Sequence, residues 1–368
     1  MATPEVFDLE SVCQPISEES PGGVELKEEP SASELFYRLK SARDDARAAE
    51  KALDNWASFS DEEKEEQESL GQSPPSSPDW DAVVDLAREI LTSQSKDLWV
   101  GAWLIEALAR TKQFAGLRDG FRVVREIAER FWDEIHPQPD EDEGYAYTVA
   151  QLTGLNGDES EGALIMPIER IPITPDGSTG ADFKDAVARG GLAKIESEAT
   201  SASPDYYREL SEDLDAALDE FARMNQVLDA KCGEGPDGYP AAPPYSAIRE
   251  ALEEGRDRVR SIAKDVLQSD TDEEEEGKGL VEVEGEGAIS TKKGMTREDA
   301  FRALLQVAEY FRHTEPHSPV SYALEQAVRW GRMSLPDLLA ELISDSSTRE
   351  ELFRRTGIPE PERKDEEY

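Results

Sequence analysis

Along much of this chain, apolar residues recur at steps of three and four. Leu35, Leu39, Ala42, Ala46, Ala49, Leu53 and Trp56 do so, as do Tyr207, Leu210, Leu214, Ala217, Phe221, Met224 and Leu228. That period places side chains on one face of an α-helix. Elements of this kind bury their apolar stripes against each other, so a mainly α fold is expected. The first set forms one narrow seam over residues 33–56. A helix packed on a neighbour fits better than a free coiled coil, because the repeat covers only about three heptads.

Taken in order, residues 12–29 (VCQPISEESPGGVELKEE) read as an extended, turn-rich lead-in with a turn at Pro21-Gly22-Gly23. Residues 58–78 are acidic and rich in Pro and Ser, and read as a loop. Three helices are expected next. Asp79 caps the first, with Trp80, Val83, Val84, Ala87 and Leu91 inward. Ser95 caps the second, with Lys96 and Asp97 in its first turn. The third carries Leu117, Phe121, Val124, Ile127 and Phe131 and stops before Pro137, leaving His136 at a helix end where an imidazole meets the dipole favourably. Short connections make successive helices antiparallel. TVAQLTGLNG reads as a short helix ending at Gly157. ALIMPIERIPIT, with two prolines, reads as an extended segment or one edge strand, and 178–191 as a loop or a short helix around Asp182 to Ala188. The helix starting near Ser203 ends at Cys232-Gly233, and a second over 245–267 completes an antiparallel hairpin.

Residues 268–294 are acidic, Gly-rich and poor in apolar residues, too poor to offset the ordering of their backbone, so a disordered linker is expected. Beyond it the apolar density returns. Thr296, Ser318 and Ser334 each offer a cap to a short helix. Phe301, Leu304, Leu305, Ala308 and Phe311 line the first, while Tyr322, Leu324, Ala327, Val328 and Trp330 crowd the second on several sides. A segment this small makes a poor core alone and must pack on something else, which includes copies of itself.

The net charge of −42 disfavours nucleic acid and anionic lipid as partners. It fits either a saline habitat or basic partner surfaces. Cys13 and Cys232 stand alone without a disulfide or zinc pattern. The acidic start MATPEVFDLE lacks the apolar core of a signal peptide, and no run is long enough to span a membrane. A cytoplasmic protein is expected.

Two blocks resemble one family. PISEESPGGVEL, SKDLWVGAWLIEAL, FAGLRDG and FWDEIHPQPDEDE, within residues 10–160, resemble the ImpA-type N-terminal domain. EYFRHTEPHSPVSYALEQAVRWGRMSLPDLLAELI resembles the C-terminal domain of one class of TssA proteins, the ImpA-type assembly components of bacterial type VI secretion systems. The organisation then expected is an N-terminal helical domain (1–200), a middle helical hairpin (201–267), the acidic linker (268–294), a small helical oligomerisation domain (295–358) and a polar tail (359–368). The resemblance implies a non-enzymatic organiser without cofactors. It would form rings of six-fold-related symmetry and contact baseplate subunits, inner tube, spike and sheath at the inner face of the inner membrane. For that role Phe311, Arg312, His313, Glu315, His317, Tyr322, Glu325, Arg329, Trp330 and Arg332 are the expected oligomer interface, arginines and aromatics being favoured anchors, with monomer core the alternative for Phe311, Tyr322 and Trp330.

Rival chemistry finds little support in the sequence. The chain has no Walker A loop, GxSxG elbow, HExxH pair or dinucleotide fingerprint. Asp140 to Glu143 lack the spacing of a calcium loop and read as a solvated acidic loop. His313, Glu315 and His317 are the nearest approach to a metal-dependent hydrolase, but Pro316 breaks the helix that would align them. A monomeric adaptor whose N-terminal domain does the binding is the remaining alternative.

Overall fold

The computed structural model describes residues 2–276 except 159 and 237, and then 301–302, 304–305, 307–308, 312, 319–333 and 338–339. It divides into two units, Met1–Gly279 and Leu280–Tyr368.

The first unit is organised around α5 (Leu98–Phe131). It is buried on nearly every side, from Leu98 and Val100 to Ala128 and Phe131. Gln113 has φ 54° and ψ −138°, which turns the chain back so that α5 consists of two antiparallel arms. Small residues set how closely the arms approach. A methyl group on Gly120 would meet Ile105 Cγ1 at 3.0 Å, and one on Gly101 would meet Val124 Cγ2 at 2.9 Å. With α4 (Trp80–Ser93) packed alongside, the three antiparallel helices expected over 79–135 are present.

Other helices surround this hairpin. α2 (Pro30–Ala57) covers α4, and its seam is buried at Leu35, Leu39 and Ala46. α11 (Pro204–Cys232) lies against α5, with the Phe121 and Phe221 rings 4.9 Å apart. α12 (Ser246–Glu276) packs on α11 as the hairpin partner. Residues on both sides of position 200, Ile195 and Ala199 as much as Tyr207 and Leu214, belong to one continuous core.

Several elements differ from the sequence reading. Within 58–78 lies a helix, α3 (Asp61–Ser69), with no buried residue. A capping box explains it: the Glu63 N–H donates to Ser60 Oγ (3.3 Å) and the Ser60 N–H donates to the Glu63 carboxylate (2.8 Å). ALIMPIERIPIT is not extended; it holds α8 (Ile165–Glu169). Pro167 falls in the first turn, where a missing N–H costs nothing. After α6 (Tyr145–Thr148), α7 (Ala150–Asn156) ends at Gly157 as expected. α9 (Gly180–Arg189) forms behind a Thr179–Asp182 capping box, and α10 (Leu192–Ser201) follows. α12 continues to Glu276, nine residues into the stretch read as linker, whose remainder lies outside the described residues. Among the described residues there are isolated bridges and no strand.

The N-terminal strap runs over the α4–α5 junction. It opens with α1 (Leu9–Val12), and the PISEESPGGVEL segment follows. Backbone hydrogen bonds hold it: Lys96 N–H to Gly22 O (2.8 Å) and Val24 N–H to Gln94 O (3.0 Å). Gly23 has φ +84°, and a Cβ there would fall 2.1 Å from Gln94 O. Only glycine permits this approach.

In the second unit α13 (Val320–Arg332) is the principal described element, beginning just after Pro319. Residues 301–302, 304–305, 307–308 and 312 are also helical. Ala308, Ser321 and Val328 are buried.

Candidate interaction surfaces

The α4–α5 junction is a buried polar knot. Ser95 is buried and bridges to Gly23 rather than capping a helix. Asp97 is the cap: one carboxylate oxygen accepts from Trp99 N (2.7 Å) and Val100 N (3.1 Å). Burial pushes its carboxyl up to about 6 despite those two donors; the nearby Glu25 charge adds to the rise and His136 opposes it. Lys96 does more than fix a helix entry. It is fully buried, and its ammonium donates to Val12 O and Leu91 O, each at 2.6 Å. Burial brings it down to about 8. His136 is likewise more than a helix end. Its backbone N–H donates to Lys96 O (3.0 Å), its carbonyl accepts from Leu98 N (2.8 Å), and its Nδ1 lies 3.3 Å from the Glu25 carboxylate. That hydrogen bond holds Glu25 below the usual carboxylate range. The knot joins strap, α4 and α5 and presents no open side to a substrate.

A second charged cluster is also structural. Glu106 is fully buried on α5 and takes Arg43 Nε at 2.7 Å and Arg47 Nε at 2.6 Å from α2. Arg110 lies 3.5 Å from the same carboxylate and is bidentate to Glu50. A buried carboxylate needs such compensation. Beside it an open cleft of about 500 Å³ is lined by Trp80, Arg110, Lys112 and Arg170 among others. It contains no nucleophile–base pair. Among the described residues no three His, Cys, Asp or Glu side chains gather to hold a metal. Asp140 uses its carboxylate to close its own turn, accepting from the N–H groups of Asp142, Glu143 and Gly144.

Of the C-terminal residues named from sequence, Phe311, His313, Glu315 and His317 lie outside the described residues. Arg312 and Glu325 come together as an ion pair. Tyr322 is 65% exposed on α13, Arg329 is exposed, and Trp330 is half-buried. Arg332 stands over the Phe301 ring at 5.6 Å. Gly331 faces the same ring, and a Cβ there would lie 2.6 Å from it. α13 is thus amphipathic. Val328 and Ser321 face inward, and Tyr322 and Arg329 are presented outward.

Sequence reasoning did not single out a group of aromatics at one end of the first unit. Trp99 and Tyr147 have ring centroids 5.2 Å apart, and Phe36 stacks on Trp103 at 5.4 Å. The Lys27 ammonium sits over Trp99 at 3.7 Å. Individually these residues are ordinary helix positions, and only the tertiary fold gathers them.

The helical unit with its strap-bound α5 hairpin corresponds to a known class. Residues 13–157 match the family described as ImpA, N-terminal, type VI secretion system. A solved N-terminal domain that includes the conserved ImpA_N region of the TssA component from Burkholderia cenocepacia has the same fold. It superposes with a TM-score of 0.53 at 24% identity over 72% of this chain and 96% of that one. The type VI secretion system component TssA1 of Pseudomonas aeruginosa is 24% identical over 76% of this chain and 85% of its own length. The chain is thus similar to TssA components of type VI secretion systems. No described helix is long and apolar enough to cross a membrane.

Proposed function

We propose that this TssA-type chain is a non-enzymatic organiser that assembles into a ring through its C-terminal unit. The observation that carries the reading is the ImpA N-terminal match over residues 13–157, joined to a separate second unit whose α13 turns Tyr322 and Arg329 outward. Rings arise when a heterologous contact closes on itself, and an outward aromatic and arginine pair is suited to such a contact. In this reading the acidic stretch expected to be a linker tethers each first unit to the ring. The tether raises the local concentration of first units for baseplate, tube, spike or sheath surfaces. The symmetry would be six-fold-related, and the site of action the inner face of the inner membrane. Nothing among the described residues favours a hydrolase.

Light scattering on interface variants tests the ring. Arg329→Glu and Trp330→Ala are expected to lower the mass per particle of the full chain. A mass unchanged from wild type in both variants would remove α13 from the interface.

A further inference from the structure

The aromatic corner at Trp99 combines features that the ring reading leaves unused. Trp99 is carried on the first arm of α5 and Tyr147 on α6, and the Trp99 indole N–H donates to Tyr147 O at 3.1 Å. That bond fixes the two rings at 58° to each other, forming two walls. Phe36 from α2 is the third side, and Tyr37, 57% exposed, meets it edge-on at 5.5 Å. A cation already fills the corner. Lys27 Nζ lies 3.7 Å from the Trp99 centroid, 5.5 Å from Tyr147 and 5.9 Å from Phe36, and it donates to the Tyr147 hydroxyl at 3.1 Å. The Lys27 charge also acts on the nearby Glu25 carboxylate, but the contacts of its ammonium are the rings and the phenol.

Lys27 is nonetheless an exposed residue in a turn, on a long and flexible side chain. A ring face attracts ammonium and guanidinium alike, and tryptophan attracts them most. The surroundings favour positive charge further. Asp140, Glu141, Asp142 and Glu143 are all exposed immediately before the helix that carries Tyr147, and Glu28 and Glu29 are exposed beside Lys27.

We infer that the Trp99–Tyr147–Phe36 corner is an aromatic cage for a protruding arginine or lysine of a basic protein partner, and that Lys27 occupies it until that side chain displaces it. The acidic rim draws the basic segment in, and the cage reads its cation. Lys27 acts as an internal competitor, so the apparent affinity is lowered by the fraction of molecules in which it holds the cage. This inference stands apart from ring formation, since every residue in it lies in the first unit.

The test uses the full chain and fluorescence anisotropy of a labelled, capped peptide Gly-Gly-Arg-Lys-Arg-Gly-Gly, beside a neutral control with citrulline and norleucine in place of the cations. Lys27→Ala is expected to bind the basic peptide about two- to fivefold more tightly, the worth of one exposed cation–π contact. Lys51→Ala makes the same charge change elsewhere and is expected to leave binding at the wild-type level. Tyr147→Leu should weaken binding and cancel the gain when combined with Lys27→Ala, as coupled sites do. The inference is overturned if Lys27→Ala binds no better than wild type, since Lys27 is then only a clasp. It is overturned equally if Lys51→Ala gives the same gain, because attraction would then be net charge alone, or if the neutral peptide binds as well as the basic one.

Discussion

At the scale of single residues, the α4–α5 junction shows how a secondary-structure signal can be right in place and wrong in partners. The sequence puts Lys96 and Asp97 at a helix start, and they are there. It does not reveal that Glu25, His136 and the strap converge on them, because those partners lie roughly forty residues or more away along the chain. The convergence has a measurable consequence. Asp97 has a folded pKa of about 6 against an ordinary 3.8, so between those values the folded state binds the proton more tightly than the unfolded state does. Its contribution to stability is therefore complete below pH ~4 and lost as pH rises through ~6. Asn caps a helix about as well as Asp and carries no charge. Asp97→Asn should gain on wild type as the pH rises from ~4 to ~6.5, by up to about 3 kcal/mol, and level off above. Thermal melts of both proteins across that range check this. A difference that does not change with pH would mean that Asp97 is not titrating there.

At the scale of elements, amphipathic period identified the long helices well. α2, α4 and α11 each have one buried stripe, and stripe position depends on local sequence alone. The period failed where local polar chemistry decides. Ser60 and Glu63 start a helix with no buried residue in a stretch that composition marks as loop, and Pro167 is accepted into a helix because it falls in the first turn. The α5 turn is the sharpest case. The sequence places a third helix from about Leu117 but does not mark its reversal, which falls at Gln113, in a conformation close to that of Gly144 (φ 59°, ψ −136°) and Gly233 (φ 63°, ψ −144°). A side chain at positive φ with extended ψ is strained by ~1–3 kcal/mol. Gln113 is exposed, so little packing is lost with its side chain. Gln113→Gly should therefore raise stability by about 1 kcal/mol, after the entropy glycine loses on folding. Chemical denaturation reports it directly. A midpoint at or below that of wild type would place the strain elsewhere.

At the scale of the whole molecule, the sequence suggests an N-terminal helical domain, a middle hairpin and a small C-terminal domain beyond an acidic stretch, while the chain divides into two units, Met1–Gly279 and Leu280–Tyr368. The hairpin α11–α12 was read as a separate middle region because a long helix pair with its own stripe looks self-sufficient. Its stripe is in fact shared: Phe221 meets Phe121, and Arg125 of α5 reaches Glu220 of α11 at 3.0 Å. Periodicity shows that a face is buried but not what buries it. The same limit applies to α13, where sequence could not separate monomer core from subunit contact. In the structure Val328 is buried and Tyr322 is exposed. The proposed assembly through the second unit can be read by light scattering coupled to size exclusion, on the full chain and on residues 1–279. One large discrete oligomer is expected for the full chain and a monomer for residues 1–279. Equal mass per particle, relative to chain length, in both proteins would contradict it.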